Sequence, residues 1–292
     1  MHQNRVNELL HLVKQESVQQ FKVKSIVPLA SGVENCVFKA KTEEWGEVVI
    51  RVPWIKNNES RKGLQKEYML SNHCAKQGIP IPSIFLFYQS EQVDFLVQRF
   101  VSGELPEMAE GKMGELVNQL HHIEIVSNHE ILYEDCHAFL SERIVKNNNL
   151  AMRKGNIHIP LPSVEELYAI FQSFPLKKRF LHMDIRKENM IYDADQIVAL
   201  FDWTNAIMGD PVLELMRIDE YGLLNEDFIN GYQNFEREMA RVPTIVQLLY
   251  RYHTVAMLTN LFCFELKDLH QGEKTMKRLY ELRNQVNQEF SW

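Results

Sequence analysis

The sequence has few cysteines, no long apolar run and no excess of basic residues, and each absence excludes a class of protein. Its 4 cysteines are scattered and form no CxxC pair, so there is neither a zinc-binding spacing nor a disulfide framework. No apolar run is long enough to cross a bilayer. The opening segment MHQNRVNELLHLVKQES also lacks the apolar core of a secretion signal. We therefore expect a cytoplasmic protein without a membrane segment.

The charge argues against a nucleic-acid partner. The formal net charge at pH 7 is −7, whereas a protein that neutralises nucleic-acid phosphates needs a clustered basic surface. An acidic balance is compatible with a cationic substrate, although solubility alone explains it equally well. The hydrophobic share of 45% and the charged share of 24% are ordinary for a globular protein. A chain of 292 residues can form one large domain or two lobes.

The first hundred residues have the pattern of a small β-sheet with one inserted helix. An amphipathic helix over 5–20 precedes three strand-like segments, of which EVVIRV at 47–52 is the clearest. A helical stretch over 60–77 ends at Gly78, a residue that suits the end of a helix. The segment 94–101, DFLVQRFV, is a further predicted strand.

Helical patterns dominate from Glu110 onward, so the order of elements indicates an α+β fold. We expect a small antiparallel β-sheet lobe over 1–102 and a larger, mostly helical lobe over 103–292, with a cleft between them. Within the second lobe, the polar stretch NNNLAMRKGN over 147–156 is typical of an exposed loop.

The segment FLHMDIRKENMIYDADQIVALFDWTNAIMGDP at 180–211 contains the chemically informative residues. Phosphoryl transfer from a nucleotide requires Mg²⁺ and fixed cations to offset the phosphate charges. It also requires a carboxylate that orients the acceptor hydroxyl and takes its proton. Asn189 and Asp202 offer the oxygen ligands that Mg²⁺ prefers, and Asp184 offers the carboxylate for the hydroxyl. Taken alone, Asp184 is equally compatible with a loop residue that caps a helix.

His182, Asp184 and Asn189 form the pattern HxDxxxxN, and a hydrophobic strand ending in Asp202 follows. This order is similar to the catalytic and metal-binding loops of protein kinases. The versions seen here, HMDIRKEN, LFDW and GDPVLEL, most resemble the aminoglycoside phosphotransferase family, with its macrolide kinases and choline-kinase relatives. The resemblance implies a bilobal protein-kinase-like fold in which Asp184 is the catalytic base and Asn189 and Asp202 bind Mg²⁺. By the same resemblance, His182 supports the loop and Asp210 braces the start of the following helix.

Segments upstream extend the resemblance and imply a binding site for ATP or GTP. VVIRVP resembles the family's third strand, whose cation, here Arg51, contacts nucleotide phosphates, and LQKEYML contains Glu67 where the family has the acidic partner of that cation. The turn ASGVEN implicates Ser31 in phosphate contact. LVQRFVSGELP resembles the segment that receives the adenine, which implicates Gln98 and Phe100. GIPIPSI and GELVNQLHHIE also resemble family segments.

Several positions depart from the family pattern. Arg51 stands where protein kinases have lysine, but it keeps the positive charge and can bind phosphate through two nitrogens. The turn ASGVEN has the single glycine Gly32, Met183 replaces the usual glycine of HGD, and Glu214 replaces the usual aspartate of DLA. None of these changes removes a chemical group that the mechanism needs. On strand alternation alone, Arg51 is also compatible with an outward-facing residue.

Two further features have simple structural explanations. His121 and His122 lie near the end of a predicted helix, where a cation suits the helix dipole, and no other ligands lie at a spacing that suggests a metal site. Asp210 precedes Pro211, and a helix that begins with an aspartate cap and a proline in its first position accounts for both residues.

The acceptor of the phosphoryl group is open at this stage. An aminoglycoside would need a cluster of carboxylates in the helical lobe, and the candidates are Asp219, Glu220, Glu226 and Asp227. A macrolide would need a broad apolar pocket, which the stretch TVAMLTNLFCFEL offers. The RVP after the third strand and the FDW segment favour the macrolide kinases. Choline or a sugar remains an alternative.

Two other functions compete with a small-molecule kinase. A nucleotide-binding pseudokinase that regulates a partner protein would be signalled by loss of the base or of a metal ligand, and neither is lost. A protein kinase is disfavoured because no DFG, APE or activation-loop stretch follows Asp202, and the next helix begins at Pro211. We expect an enzyme that acts as a monomer on a small hydroxyl compound.

Overall fold

The computed structural model describes residues 2–104, 109–124, 135–155 and 161–290. The chain divides into two compact units. The first comprises Met1–Met108 and Lys187–Asn205, and the second comprises Ala109–Arg186 and Ala206–Trp292. This division differs from the single boundary expected after residue 102, because residues 187–205 belong to the first unit.

The strands, in chain order, are β1 Val23–Ser31, β2 Asn35–Thr42, β3 Glu47–Pro53, β4 Ile84–Gln89, β5 Asp94–Arg99, β6 Arg179–Leu181, β7 Met190–Asp193, β8 Gln196–Leu200 and β9 Ile207–Gly209. The α-helices are α1 His2–Gln20, α2 Asn58–Ala75, α3 Glu110–Leu120, α4 Cys136–Gly155, α5 Val164–Gln172, α6 Pro211–Glu220, α7 Glu226–Gly231, α8 Phe235–Arg241, α9 Thr244–Asn260 and α10 Leu269–Phe290. Two 3₁₀ turns, Lys187–Asn189 and Trp203–Asn205, and a π-helical turn, Leu261–Glu265, complete the described elements.

The first unit is built on a five-stranded antiparallel sheet in the order β1-β2-β3-β5-β4. Strand β3 lies at its centre, and every residue of β3 after Glu47 is buried, as its β-branched sequence favours. Helix α1 packs Val6, Leu9 and Val13 into the same core as the apolar residues of β2 and β3. The amphipathic helix predicted at the N-terminus is therefore part of the β-rich unit.

The β7–β8 hairpin explains why 187–205 belongs to the first unit. Glu104 and Tyr192 exchange backbone hydrogen bonds of 3.0 and 2.8 Å, and the N–H of Leu200 donates to the carbonyl of Pro80 at 2.7 Å. These bonds attach the hairpin to the chain that follows α2 and β5. The candidate metal ligands are thus held in the unit that contains the sheet.

The second unit is mostly helical, with the short β6–β9 pair as its only sheet in the part that the structure describes. The predicted loop over 147–156 is wrong for residues 147–155, which belong to α4, while residue 156 lies outside the described residues. Tyr252 donates to the Oδ1 atom of Asn148 at 2.7 Å, and Asn260 donates to the backbone carbonyl of Asn147 at 2.9 Å. Partners on α9 therefore satisfy polar groups that composition alone places in solvent.

The four cysteines are free thiols, in agreement with their scattered spacing. Among the described residues, no helix combines the length and the apolarity that a membrane crossing requires.

Candidate active site

In the first unit, a cluster joins the buried side chains of Arg51 and Glu67 to the partly exposed Asp202. The Nη1 atom of Arg51, on β3, donates a hydrogen bond to the Oε1 atom of Glu67, on α2. The Nη2 atom of Arg51 lies 3.8 Å from the Oδ1 atom of Asp202. Arg51 is 7% exposed and Glu67 2%, so the alternative of an outward-facing Arg51 is wrong. The cluster places one fixed cation between two carboxylates.

The electrostatics of the cluster follow from its burial. Burial raises the pKa of Glu67 to about 7, and the neighbouring carboxylate of Asp202 adds to the rise while Arg51 opposes it. For Arg51, burial acts to lower the pKa, but the charges of Glu67 and Asp202 outweigh it and raise the pKa. Arg51 is therefore a permanent cation at the end of a buried strand, which is the kind of group that neutralises phosphate.

Asn189 and Asp202 are brought together by the backbone around the β7–β8 hairpin. The N–H of Phe201 donates to the carbonyl of Asn189 at 2.9 Å, which joins the residues directly before β7 and after β8. Asp202 has the positive φ of 65°, and its Oδ1 atom accepts a hydrogen bond of 2.9 Å from the hydroxyl of Thr204. Lys66 on α2 in turn donates to the backbone carbonyl of Thr204 at 2.9 Å. The turn after β8 is thus fixed from two sides.

This donor set fits Mg²⁺. A carboxylate and a side-chain amide supply hard oxygen atoms, and Mg²⁺ is usually held by one or two carboxylates together with water and substrate phosphates. In the described part of the chain, no three His, Cys, Asp or Glu side chains come together as a metal-binding group. Asn189 and Asp202 therefore fit an ion that takes most of its ligands from a nucleotide and water, not a caged structural metal.

In the second unit, Asp184 lies in a cluster of cations and a phenol. Its Oδ1 atom accepts hydrogen bonds from the Nη2 atom of Arg217 at 3.4 Å and from the hydroxyl of Tyr221 at 3.2 Å. Its Oδ2 atom lies 3.2 Å from the Nη2 atom of Arg186. Asp184 is only 4% exposed, so its position beside cations compensates for the burial of a carboxylate.

The loop that carries Asp184 is fastened to α6 by Glu214. The carboxylate of Glu214 accepts hydrogen bonds from the backbone N–H of Met183 and, at 3.4 Å, from that of His182. The Nε2 atom of His121 lies 2.9 Å from the Oε2 atom of Glu214. Burial alone would raise the pKa of Glu214, but the bonds from His121 and Met183 and the nearby histidine charges outweigh it and lower the pKa.

His121 does follow the end of α3, as predicted, but the helix dipole is not what holds it. Its ring is 1% exposed and lies between Glu214 and the hydroxyl of Tyr232, at 2.8 Å from the latter. The sequence offered no signal for these partners, which are 93 and 111 residues away along the chain.

His182 and Asp210 have supporting roles in the structure. The Nδ1 atom of His182 accepts a hydrogen bond of 3.2 Å from the backbone N–H of Asp184. Asp210 caps α6, because its Oδ1 atom accepts from the N–H of Val212 at 3.1 Å, with Pro211 in the first turn. Its two oxygens also accept hydrogen bonds of 2.6 and 2.7 Å from Arg241, a partner that the sequence did not reveal.

The other predicted nucleotide contacts are not joined to the Arg51 cluster. Ser31 is exposed at the end of β1, and Gln98 is 4% exposed within β5. The Nζ atom of Lys39 lies 3.7 Å from the centre of the Phe100 ring. Within the described residues, no hydrogen bond or ion pair links these three side chains to Arg51, Glu67 or Asp202. Their roles in nucleotide binding stay predictions.

The carboxylates considered for a cationic acceptor fall into two groups. Asp219 forms an ion pair with Arg251, and Glu220 accepts hydrogen bonds of 2.9 Å from both Arg251 and Arg278. Glu226 and Asp227 are exposed in the first turn of α7. The first group is already neutralised by arginines, and the second is typical of acidic residues at a helix start.

A comparison of the sequence with protein families identifies a family that covers most of the chain. The profile of the Phosphotransferase enzyme family matches residues 25–241, which includes all of the candidate residues above. Among curated proteins, no sequence matches the chain.

Comparison with solved structures gives many chains of the same fold. APH(2")-IIa in complex with gentamicin aligns with a TM-score of 0.62 at 16% identity, covering 94% of this chain and 95% of that one. A protein assigned as a fructosamine-3-kinase from Haemophilus somnus 129PT aligns with a TM-score of 0.68 at 17% identity, and the alignment covers 91% of this chain and 92% of that one. A thermostable mutant of aminoglycoside phosphotransferase APH(4)-Ia, bound to ADP and hygromycin B, aligns with a TM-score of 0.66 at 16% identity. That alignment covers 93% of this chain and 98% of the other. These likenesses confirm the predicted kinase-like α+β fold.

Proposed function

The chain belongs to the phosphotransferase enzyme family, and we propose that it transfers the γ-phosphoryl group of ATP or GTP to a hydroxyl group of a small molecule in an Mg²⁺-dependent reaction. The observation that carries this proposal is the cluster of Arg51, Glu67 and Asp202, in which a buried, fixed cation lies beside a partly exposed potential metal ligand. A strand residue, a helix residue and a turn residue from three parts of the sequence meet there, and phosphoryl transfer needs that combination.

In this proposal, Arg51 binds the phosphates of the nucleotide and Glu67 holds the guanidinium in place. Because Glu67 is buried and bound to Arg51, the side chain of Arg51 loses little further freedom when phosphate binds. Asn189 and Asp202 hold Mg²⁺, which when bound neutralises phosphate charge. Ser31, Gln98 and Phe100 complete the proposed nucleotide site.

Asp184 orients the acceptor hydroxyl and takes its proton as the phosphoryl group is transferred. Asp184 lies beside Arg186 and Arg217, which compensate for its burial, and a carboxylate within reach of a hydroxyl can accept the proton of that hydroxyl. The proton moves from the acceptor oxygen to the Asp184 carboxylate, and ADP or GDP leaves with the electrons of the broken P–O bond.

The ion pairs in the second unit bear on the acceptor. Asp219 and Glu220 are neutralised by arginines, and a cavity of ≈ 270 Å³ beside them is also lined by Lys274, Lys277 and Arg278. Glu281 also lines this cavity, and both of its carboxylates, Glu220 and Glu281, are paired with Arg278, so a polycation would meet three cations and no unpaired carboxylate. Of the acceptor classes considered, this disfavours aminoglycosides and favours a hydroxyl compound with at most one positive charge, such as a macrolide or a sugar.

A nucleotide-binding pseudokinase is the second candidate function. It would keep the Arg51 cluster and lack turnover. The base and both metal ligands are present in this chain, which supports the enzyme over the pseudokinase.

The test is release of ADP and GDP by the purified protein with Mg²⁺, against macrolides, sugars, choline and aminoglycosides. Asp184→Asn should lower turnover by about 100-fold or more, since a general base contributes on that order. Asp195→Asn is the matched control, because it removes the same charge at an exposed turn whose positive φ of 62° asparagine also adopts. Tight Mg-nucleotide binding without turnover of any acceptor would favour the pseudokinase, and absence of nucleotide binding would refute the whole proposal.

A further inference from the structure

Four polar residues of α6 and its ends are spaced so that they share one face of the helix. Asp210, Glu214, Arg217 and Tyr221 follow one another at intervals of four, three and four positions, which repeats every two turns. Asp210 caps the helix, Glu214 binds the backbone of the loop before Asp184, and Arg217 and Tyr221 reach Asp184 itself. Three of the four residues therefore hold the loop of Asp184, and Asp210 caps the helix that carries them.

We infer that Arg217 and Tyr221 form a positioning pair that fixes the orientation of the Asp184 carboxylate for the acceptor hydroxyl. The inference rests on the proposed function, in which Asp184 takes the proton. Both partners bind the same atom, Oδ1 of Asp184, and they bind each other, because the Nε atom of Arg217 donates to the Tyr221 hydroxyl at 2.9 Å. Three groups thus form a closed triangle around one carboxylate oxygen.

The direction of the hydrogen bonds is set by chemistry. Arginine only donates, so the Tyr221 oxygen accepts from Arg217 and its own proton is directed to Asp184. Burial raises the pKa of Tyr221, with the charge of Asp184 adding to the rise and Arg217 opposing it, so the phenol keeps its proton at neutral pH. A donor that itself accepts from a cation makes a stronger hydrogen bond.

The arginine of this pair is buried, whereas the other arginine beside Asp184 is exposed. The Arg217 side chain is 4% exposed, whereas that of Arg186 on the Oδ2 side is 41% exposed. The Oδ1 atom is therefore held by groups that the protein interior fixes, and the Oδ2 atom lies beside a side chain that can move in solvent. We assign the approach of the acceptor to the Oδ2 side.

A purely structural role for the pair is the alternative. Arg217 also lies 3.5 Å from the sulfur of Met257 on α9, so it contributes to packing between helices. A packing residue would alter stability and leave the pH profile of turnover unchanged. A positioning pair would alter turnover with little change in substrate affinity.

The experiment compares Tyr221→Phe, Arg217→Met and Arg217→Lys with wild type, using ADP release and the acceptor that turns over fastest in the panel described above. Tyr221→Phe should lower kcat about tenfold, the effect expected for one hydrogen bond to a charged group, with KM values changed less than about twofold. The acid limb of the pH profile of kcat should move to higher pH, because the ionised form of Asp184 loses a hydrogen-bond donor. Arg217→Met should lower kcat further and move the acid limb further than Tyr221→Phe does. Arg217→Lys should recover part of the kcat and part of the shift in pH.

Tyr168→Phe is the control for Tyr221→Phe. The Tyr168 hydroxyl donates to a carboxylate of Asp135 at 3.0 Å elsewhere in the same unit, so this variant removes a similar bond without touching Asp184. The inference is overturned if Tyr221→Phe and Arg217→Met keep the wild-type kcat, or lose kcat with an unchanged acid limb. Asp184→Asn measured in parallel separates the two claims: if that variant is as active as wild type, the proposed role of Asp184 fails, whatever the pair does.

Discussion

The stability of the protein should fall in mild acid because of His253, a histidine of α9 that is 3% exposed. Among the described residues, neither of its ring nitrogens has a hydrogen-bond partner. Burial, together with the charges of Arg143 and Arg217, lowers the pKa of His253 from 6.5 to about 3. Between these values the unfolded chain binds a proton that the folded protein does not bind. The free energy of unfolding therefore decreases as the pH falls below 6.5, by about 1.4 kcal/mol for each pH unit.

At pH 5 this residue alone should reduce the free energy of unfolding by about 2 kcal/mol relative to pH 7.5. We expect His253→Leu to remove that loss, since leucine has no proton to bind. The assay is urea denaturation of both proteins at pH 7.5 and pH 5.0, and the quantity of interest is the difference between the two proteins in their change with pH. Any packing effect of the substitution is present at both pH values and cancels.

The control is His270→Gln, which removes an exposed histidine from α10 and should leave the pH dependence as in wild type. If His253→Leu loses as much stability between pH 7.5 and pH 5.0 as wild type does, the reasoning is refuted. His253 would then be able to take up a proton in the folded protein at pH 5.

Three further predictions test the two units. Arg51→Met and Glu67→Met should each cost about 2 kcal/mol in urea denaturation, because each leaves a buried polar group without its hydrogen-bond partner, whereas the double variant should regain most of the stability and still fail to release ADP. Met183→Gly should be more stable than Met183→Ala by about 1 kcal/mol in thermal unfolding, the reverse of the usual order, because residue 183 has a φ of 64°. Gly114→Ala should lower Tm, because a Cβ there would overlap the carbonyl oxygen of Phe228, whereas Gly63→Ala, whose Cβ meets its nearest atom at 3.6 Å, should not.

The elements of the first unit could be predicted well because their signals are local. EVVIRVP is rich in β-branched residues and lies between turn residues, and it forms the central strand β3. The pairing of Arg51 with Glu67 could not be derived from periodicity, which allowed an outward-facing arginine. The pairing was expected from the family resemblance, and the contact between β3 and α2 confirms it.

The support of the Asp184 loop was harder to predict, because its bonds join residues far apart in sequence. Nothing in the sequence near His121 indicates Glu214, and nothing near Asp210 indicates Arg241. Each of these residues had a sufficient local explanation, as a helix end or a helix cap, and the local explanation concealed the distant partner. The loop predicted at 147–156 failed for the same reason, since the asparagines there find partners on α9.

Helix α6 is an exception, because its sequence indicates that one of its faces makes polar contacts. The spacing of Asp210, Glu214, Arg217 and Tyr221 puts four polar side chains on one face of a helix that is otherwise buried. Polar groups on a buried helix face must find partners, so this stripe predicts a polar neighbour without any structural knowledge. For Glu214, Arg217 and Tyr221 the neighbour is the loop of Asp184, and for Asp210 it is Arg241.

Two of the departures from the family pattern are explained by one set of contacts. Glycine is the residue expected at position 183 because the backbone there is left-handed, with a φ of 64°. Met183 adopts this conformation because two contacts stabilise it. Its N–H donates to Glu214, and its side chain is buried, with 2% exposed. The bond and the burial offset a backbone cost of about 1–2 kcal/mol. Glu214, one methylene longer than the usual aspartate, spans from the Met183 N–H to the ring of His121. The loop of Asp184 is thus held by side-chain contacts at the position where the family relies on the freedom of glycine.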